Sequence, residues 1–399
     1  MFSLRRDLLV ISSLITSRFI YLASVVRSMH LERAIGPFLV SKSRGGSDSG
    51  NYRRNVERCV VEFVEWVEQN DPPATTDSID ARTCRRYARH LAGRDLAEST
   101  VHTYYANVSA FIGWCTREGL LDENYAQRHE AIEELPSKSG RRTRQQAWKP
   151  DERNTLLRYA DERVQTAFEN GGDPLGPVRD RALVAVLAYA GIRIGELVRA
   201  RHDDRREGVT WSDVSLPDGS ITVLSKKQEW DDRALPAPTR EPLRTLKTVA
   251  DPHEHWPVFP TIHRPTLYKT ARNELESVGV SETAIKRRLD RNDPLEILRE
   301  EGSAPPAITT DGARRVLRRL TEEAGLNPEG RHDYLVPHGA RRGAGEAMVR
   351  RHGVTAAARL LDNSERIVRE AYSHIEAGEI AKLADEAFEE SDGEIRESR

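Results

Sequence analysis

Val209-Thr210-Trp211-Ser212-Asp213-Val214-Ser215-Leu216, then Pro217-Asp218-Gly219, then Ile221-Thr222-Val223-Leu224, decide the fold class. Two β-rich runs flank an Asp-Gly turn, which is the pattern of a hairpin. A further run, Arg233 to Leu235, follows Glu229-Trp230-Asp231 and adds a third short strand. Around this patch the pattern is helical. On one side a helix runs from Pro177 to about Tyr189, through Leu183, Val184, Val186 and Leu187, until Gly191 interrupts it and another starts near Arg193. On the other side helical spacing resumes at Thr266, Thr309-Thr310 opens a helix through Arg314 to Leu320, and Pro337 precedes one carrying His338, Arg341 and Met348. A last apolar stripe joins Ile380, Leu383, Ala384, Ala387 and Phe388. The expected class is therefore mainly α with a small antiparallel β-sheet (α+β).

Upstream, Val56, Val60, Phe63, Val64 and Val67 recur at three- and four-residue spacing until Asn70-Asp71-Pro72-Pro73 ends the helix. Asp80 caps a second helix with Cys84, Tyr87 and Leu91. Ser99-Thr100 opens a third, with Val101, Tyr104, Tyr105, Val108, Phe111 and Trp114 on one side, and Gly119 closes it. Residues 50–135 thus predict an all-helical domain, 136–149 a polar linker and 150–390 a second domain that opens on the helix start Pro150-Asp151-Glu152. Residues 391–399 form an acidic tail. Residues 1–49 are expected to be a disordered tail or, over the first 28 residues, upstream translated sequence. Leu8–Val26 is largely apolar, but Arg18 in its middle costs roughly 2.5–3.5 kcal/mol on insertion scales, which opposes a membrane span. Met29 is an alternative start.

Net charge is -2, less basic than nucleic-acid binders often are, yet its distribution is uneven. Lys138, Arg141, Arg142, Arg144 and Lys149 fall within the linker with no acid among them, whereas the chain after Glu376 is rich in Asp and Glu. The three cysteines, Cys59, Cys84 and Cys115, are far apart and form no CxxC pair, which removes zinc fingers and disulfide scaffolds and suits a reducing cytoplasm. His253-Glu254-His255 lacks further ligands and reads as a solvated loop.

Three clusters carry possible chemistry. In Gly191-Ile192-Arg193-Ile194-Gly195-Glu196-Leu197 a glycine turn presents Arg193 at a helix start, with Glu196 three residues on to orient the guanidinium. In Pro337-His338-Gly339-Ala340-Arg341, His338 and Arg341 share a helical face, where a guanidinium can hold a phosphate and an imidazole can move a proton. Leu360-Leu361-Asp362-Asn363-Ser364 leads to Tyr372-Ser373-His374. Each alone also fits an ordinary solvated or packed residue.

In their order and spacing, the clusters resemble the tyrosine recombinase (phage integrase) family, of the Xer-like site-specific type. The resemblance covers about residues 50 to 390. Gly191–Leu197 is similar to the family's first arginine box and His338–Arg341 to the second. Tyr372 is similar to the nucleophile, nine residues after Asn363, where the family usually has His or Trp. The family also places a lysine on a hairpin between the boxes, and Ser225-Lys226-Lys227-Gln228-Glu229-Trp230 is the matching stretch, with Lys226 favoured over Lys227. The resemblance implies a two-domain DNA clamp, with a helical core-binding (SAM-like) domain at 50–135 and a catalytic domain at 150–390. It implies duplex DNA as substrate, a homo-oligomer (a tetramer on paired sites), a cytoplasmic location, and no metal, ATP or other cofactor.

The implied roles are specific. Arg193 and Arg341 clamp the scissile phosphate, Tyr372 attacks it, Lys226 protonates the departing 5′ oxygen, and His338 takes the tyrosine proton or holds the phosphate. Asn363 donates a hydrogen bond but carries no charge. Lys138, Arg141, Arg142, Arg144 and Lys149 cross the DNA backbone. Arg314, Arg315, Arg318 and Arg319 either add DNA contacts or form a solvated face. Competing readings are a type IB topoisomerase, which shares the chemistry, and a non-catalytic DNA-binding relative, which the asparagine at 363 favours.

Overall fold

The computed structural model describes residues 28–42, 50–137, 145–225, 228–373, 375 and 381. The chain divides into two compact units, Met1–Thr143 and Arg144–Arg399, each with its own core.

The first unit is helical: α1 (Leu31–Lys42), α2 (Asn51–Asn70), α3 (Ala81–Ala92), α4 (Glu98–Arg117) and the single turn α5 (His129–Ile132). The stripes read from the sequence become its core, with Val56, Val60, Phe63 and Val67 of α2 buried beside Cys84, Tyr87 and Leu91 of α3 and Val108 and Phe111 of α4. The Asp80 carboxylate accepts the Thr83 N–H at 2.7 Å and caps α3, an interaction of about 1 kcal/mol.

One expectation fails here. Part of 1–49 is no tail: α1 buries Leu31, Ala34, Phe38 and Leu39 in this core, and the Phe38 ring meets Phe111 edge-on at 5.2 Å. The spacing of those four is helical, but Gly36-Pro37 inside the segment reads as a breaker. The apolar stretch Leu8–Val26 lies outside the described residues, among which no helix is long and apolar enough to cross a membrane. All three cysteines are buried and free, and burial pushes the Cys84 and Cys115 thiols up to about 12.

The second unit is built around α7 (Leu175–Ala190), whose Leu183, Val184, Val186 and Leu187 are wholly buried. A helix apolar all round belongs in a core. It packs against α6 (Pro150–Glu169), α9 (Ala237–Ala250) and α14 (Pro337–Leu361). Between α7 and α9 lie the short α8 (Ile194–Leu197) and three antiparallel strands in the order β1 (Val214–Ser215), β2 (Ser220–Leu224), β3 (Trp230–Ala234). After α9 come α10 (Arg264–Ser277), α11 (Glu282–Arg291), α12 (Pro294–Glu300) and α13 (Thr310–Glu323).

The sheet has the expected topology but shifted edges. Residues 211–213 form a 3-10 turn instead of strand, because the Asp213 carboxylate takes the Thr210 N–H and hydroxyl, both at 2.8 Å. Strand β3 starts three residues earlier than expected and pairs Arg233 with Ile221, so a charged side chain faces inward where alternation predicts an apolar one.

The expected linker 136–149 also ends early. Residues 145–149 belong to the second unit, where Trp148 is 2% exposed and donates from Nε1 to the Val336 carbonyl at 3.0 Å. Gln146 bonds both the Tyr334 carbonyl and the Val336 N–H, so this strap braces the start of α14. A lone Trp in a polar run has no periodicity to reveal it.

Candidate active site

Helix α7 ends in Gly191, whose left-handed φ of 61° lets the chain reverse at once. A Cβ there would also meet Leu361 Cδ2 at 2.9 Å. The reversal makes Arg193 the residue that opens α8. Its guanidinium donates to Glu196 Oε1 at 2.9 Å and to Asn363 Oδ1 at 3.1 Å, while its backbone N–H donates to Glu196 Oε2 at 3.2 Å. Buried Glu196 therefore fixes both the turn and the direction of the side chain.

Arg341, 4% exposed, comes from the first turns of α14. It donates to the Gly191 carbonyl at 2.7 Å and to the Leu361 carbonyl, tying the Arg193 turn to the end of α14. Burial, then the nearby charge of Arg193, lowers its pKa to about 10, so it stays cationic at neutral pH. His338 lies one turn back on the same helix, with an edge open to solvent. Desolvation by surrounding protein, and the charges of Arg342, Arg341 and Arg193, push its pKa down to about 4, so at neutral pH the ring has a free lone pair.

Beyond Leu361 the chain turns through Asp362, at φ 45°. The strain of a left-handed aspartate is offset by its carboxylate, which binds Arg233 Nη2 at 2.8 Å and lies 3.8 Å from Arg193 Nη1. Asn363 follows, its N–H on the Ala358 carbonyl. Arginine has only donors, so Oδ1 of Asn363 must face Arg193, and its amide NH2 is the end left for a ligand oxygen.

Residues 365–373 are helical and carry Tyr372, 6% exposed, in a small cluster with Val349, Ala357, Ala358, Leu361, Val368 and Ile375. Its hydroxyl donates to the Arg342 carbonyl at 3.1 Å. Gly345 makes the space: a Cβ there would fall on the Tyr372 hydroxyl and lie 2.7 Å from Leu361 Cδ1. Burial raises the Tyr372 pKa to about 12, against the pull of Arg341 and Arg342.

The fold thus brings Arg193, Arg341, Asn363 and the His338 turn into one cationic locus, with Tyr372 at its edge. Lys226, Lys138, Arg141, Arg142 and Arg144 lie outside the described residues, as do Ile380, Leu383, Ala384, Ala387 and Phe388 of the last apolar stripe. Lys149 is exposed and pairs with Glu329 at 3.1 Å. Arg314, Arg318 and Arg319 pair with Asp311, Asp333 and Asp180. Among the described residues, no group of three or more His, Cys, Asp or Glu is placed to hold a metal ion.

Sequence reasoning missed Arg233 and Asp362. Arg233 is 7% exposed and close enough to lower the Arg341 pKa. Its partner is 129 residues away, so no local signal exists. Gly345 was also missed, although a glycine inside a helix, costing about 1 kcal/mol against Ala, is itself a sign of close approach.

No protein-family model matches the chain. Among curated relatives, tyrosine recombinase XerC of Neisseria meningitidis serogroup B (strain ATCC BAA-335 / MC58) is 23% identical over 347 residues, 84% of this chain and 87% of the relative. Tyrosine recombinase XerC of Mycobacterium sp. (strain JLS) is 26% identical over 209 residues, 52% of this chain. The chain is similar, over most of its length, to curated tyrosine recombinases. The alignment spans 62% of the mycobacterial relative's length. Solved integrase structures share the fold. The Tn1549 transposon integrase in complex with transposon right end DNA superposes with a TM-score of 0.55 at 12% identity, covering 89% of this chain and 100% of that one. A lambda integrase dimer bound to a COC′ core site gives 0.53 at 14% identity, covering 86% and 95%.

Proposed function

We propose that the protein is a site-specific recombinase that cuts and rejoins duplex DNA through a 3′-phosphotyrosine at Tyr372. The observation that carries this reading is the direct bonding of Arg193 to Asn363, and of Arg341 to the turns on either side, beside a tyrosine seated over Gly345.

In this reading the scissile phosphate enters between Arg193 and Arg341. Two planar forks hold its non-bridging oxygens and stabilise the charge of the five-coordinate phosphorus, a task that metal ions perform in other phosphoryl transfers. The Asn363 NH2 donates to the same phosphate. Tyr372 gives up its bond to the Arg342 carbonyl, passes its proton to the neutral His338 and attacks phosphorus. The P–O5′ bond breaks, and Lys226 protonates the departing oxygen. The bond energy stays in the phosphotyrosine, so attack by a 5′-hydroxyl of a partner strand completes exchange without ATP. Lys138, Arg141, Arg142, Arg144 and Lys149 supply salt-dependent backbone contacts, Lys149 exchanging Glu329 for phosphate. The working species is a homo-oligomer on paired sites, a reading supported by the lambda integrase tetramer bound to a Holliday junction. Its expected location is the cytoplasm, where the three thiols stay reduced.

A second reading, a DNA-binding relative without activity, is favoured by the raised Tyr372 pKa and by the uncharged Asn363. One experiment separates them: covalent trapping on nicked suicide duplexes drawn from the encoding locus, comparing wild type with Tyr372→Phe in EDTA. An adduct that resists denaturation in wild type alone is expected. Shifted complexes without an adduct would transfer the case to the second reading.

A further inference from the structure

Arg233, on β3, is buried, and its guanidinium donates from Nη2 to Asp362 Oδ2 at 2.8 Å. Its other acceptors lie farther off, Asp231 Oδ2 and the Asp232 carbonyl, each at 3.4 Å. Asp362 is therefore its main counter-charge. The same Oδ2 stands 3.8 Å from Arg193 Nη1, a nitrogen that already gives one N–H to Glu196 Oε1 at 2.9 Å. One N–H remains on that nitrogen, and a phosphate oxygen and Asp362 would compete for it. The two carboxylates differ in access. Glu196 is buried, whereas the Asp362 side chain is 29% exposed and borders the solvent from which an anion comes. A shift of about 1 Å would bring Oδ2 within hydrogen-bond distance of Arg193. The bond to Arg233 opposes that shift.

We propose that Arg233 is a positioning residue that keeps the arginine cradle open: it holds the Asp362 carboxylate away from Arg193, so that Arg193 is free to take phosphate. This rests on the recombinase reading above, which supplies the phosphate. Charge makes the role distinctive. Arg193, Arg341 and Arg233 stand against Glu196 and Asp362, which leaves one net positive charge. Losing Arg233 alone cancels that charge and frees a carboxylate beside Arg193. Losing Arg233 and Asp362 together restores it. A pair that merely braced the turn would show no such recovery.

The test is a rescue. Full-length protein is assayed for single-turnover adduct formation on the suicide duplex, with the thermal midpoint of each variant recorded. A unit charge about 4 Å from another is worth up to about 10³-fold at the effective dielectric of such sites, and solvent at the open edge reduces this. Arg233→Met is therefore expected to form adduct about 10- to 100-fold slower than wild type. Arg233→Lys should stay within a few fold, because its ammonium still holds Asp362. Asp362→Asn keeps the shape of the side chain and suits the left-handed turn, and should react a few fold faster than wild type. The double variant Arg233→Met, Asp362→Asn should recover to within a few fold of wild type.

Arg233→Met at the wild-type rate overturns the proposal. So does a double variant as slow as Arg233→Met, since the pair would then be a brace whose two halves are both needed. Arg233→Met leaves a carboxylate unpaired and is the variant most exposed to unfolding, whereas removing both partners is often nearly neutral. If Arg233→Met does not fold, Asp362→Asn and the double variant decide: adduct formation well below wild type in either one overturns the role. Absence of a wild-type adduct would instead sink the recombinase reading and this role with it, a result distinct from all of these.

Discussion

Arg193 and Arg341 on one side, and Tyr372 on the other, are all held by hydrogen bonds to protein acceptors, with opposite results. The arginines donate to Glu196, Asn363 and the carbonyls of Gly191 and Leu361, which aim them while leaving further N–H groups of each guanidinium for a ligand. Tyrosine has one hydroxyl proton, and it is on the Arg342 carbonyl. The bond that preorganises an arginine therefore occupies a tyrosine. On the proposed function, the two arginines form a phosphate cradle that is built before DNA arrives, whereas Tyr372 rests in a protonated, buried state that it would have to leave to attack. In that reading the cradle's rigidity would contribute to the rate, because no reorganisation remains to be done at the moment of reaction.

The largest effect expected from this contrast is on the cradle. Arg341→Ala should lower single-turnover adduct formation by about 10²–10³-fold at saturating DNA, the loss typical of one preorganised donor. It should also lower the thermal midpoint, because the Gly191 and Leu361 carbonyls lose their partner. Arg341→Lys should recover less than a tenth of the activity, since an ammonium cannot span both carbonyls and a phosphate. Wild-type-like cleavage by Arg341→Lys would break the comparison at its first term.

The tyrosine side is tested next by Gly345→Ala, whose methyl would fall on the resting hydroxyl. Overpacking of this kind costs about 1–3 kcal/mol in denaturant unfolding. The cost should shrink in a Tyr372→Phe background, because one of the clashing atoms has gone, while Leu361 Cδ1 at 2.7 Å keeps it above zero. Additive costs in that double-mutant cycle would mean that the hydroxyl does not rest over Gly345.

Protonation sharpens the contrast further. With Tyr372 at about 12 and His338 at about 4, a histidine base predicts a cleavage rate nearly level from pH 6 to 9. His338→Phe should turn this into a rise of about tenfold per pH unit, as solvent hydroxide takes over proton removal. Stability should follow the same groups. His338 titrates below its ordinary 6.5, so its contribution is present above that pH and is lost as pH falls toward 4. Tyr372 titrates above its ordinary 10, so its contribution is present below that pH and is lost as pH rises toward 12. A wild-type rate that climbs throughout the neutral range would remove His338 from the role of base.

What the sequence made legible divides along similar lines. The arginine turn was readable because Gly191, Arg193 and Glu196 act within six residues, and the hairpin because its turn is local. Unreadable were the features set by distant partners: Arg233 facing inward toward Asp362, the resting bond of Tyr372 to Arg342, and the strap of Trp148 on α14. Each puts a polar or aromatic group where local periodicity predicts something else. Helix α1 was hidden differently, its helical spacing cut by Gly36-Pro37 and overshadowed by the apolar stretch before it.

The smallest expected effect belongs to Asn363, which stands where the two sides meet, one residue after Asp362 and nine before Tyr372. Asn363→Ala removes one acceptor from Arg193 but leaves Glu196 in place, so cleavage should fall by only about fivefold, the equivalent of about 1 kcal/mol. Asn363→His should do better than Asn, since a ring nitrogen can accept from Arg193 while the other donates to phosphate, and a protonated ring adds charge that an amide cannot. Single-turnover rates for the three side chains should therefore rank His, Asn, Ala. If alanine equals asparagine, the bond to Arg193 only decorates a cradle that Glu196 already holds. If alanine loses as much as Arg341→Ala, the cradle is not preformed, and the difference between its two sides disappears.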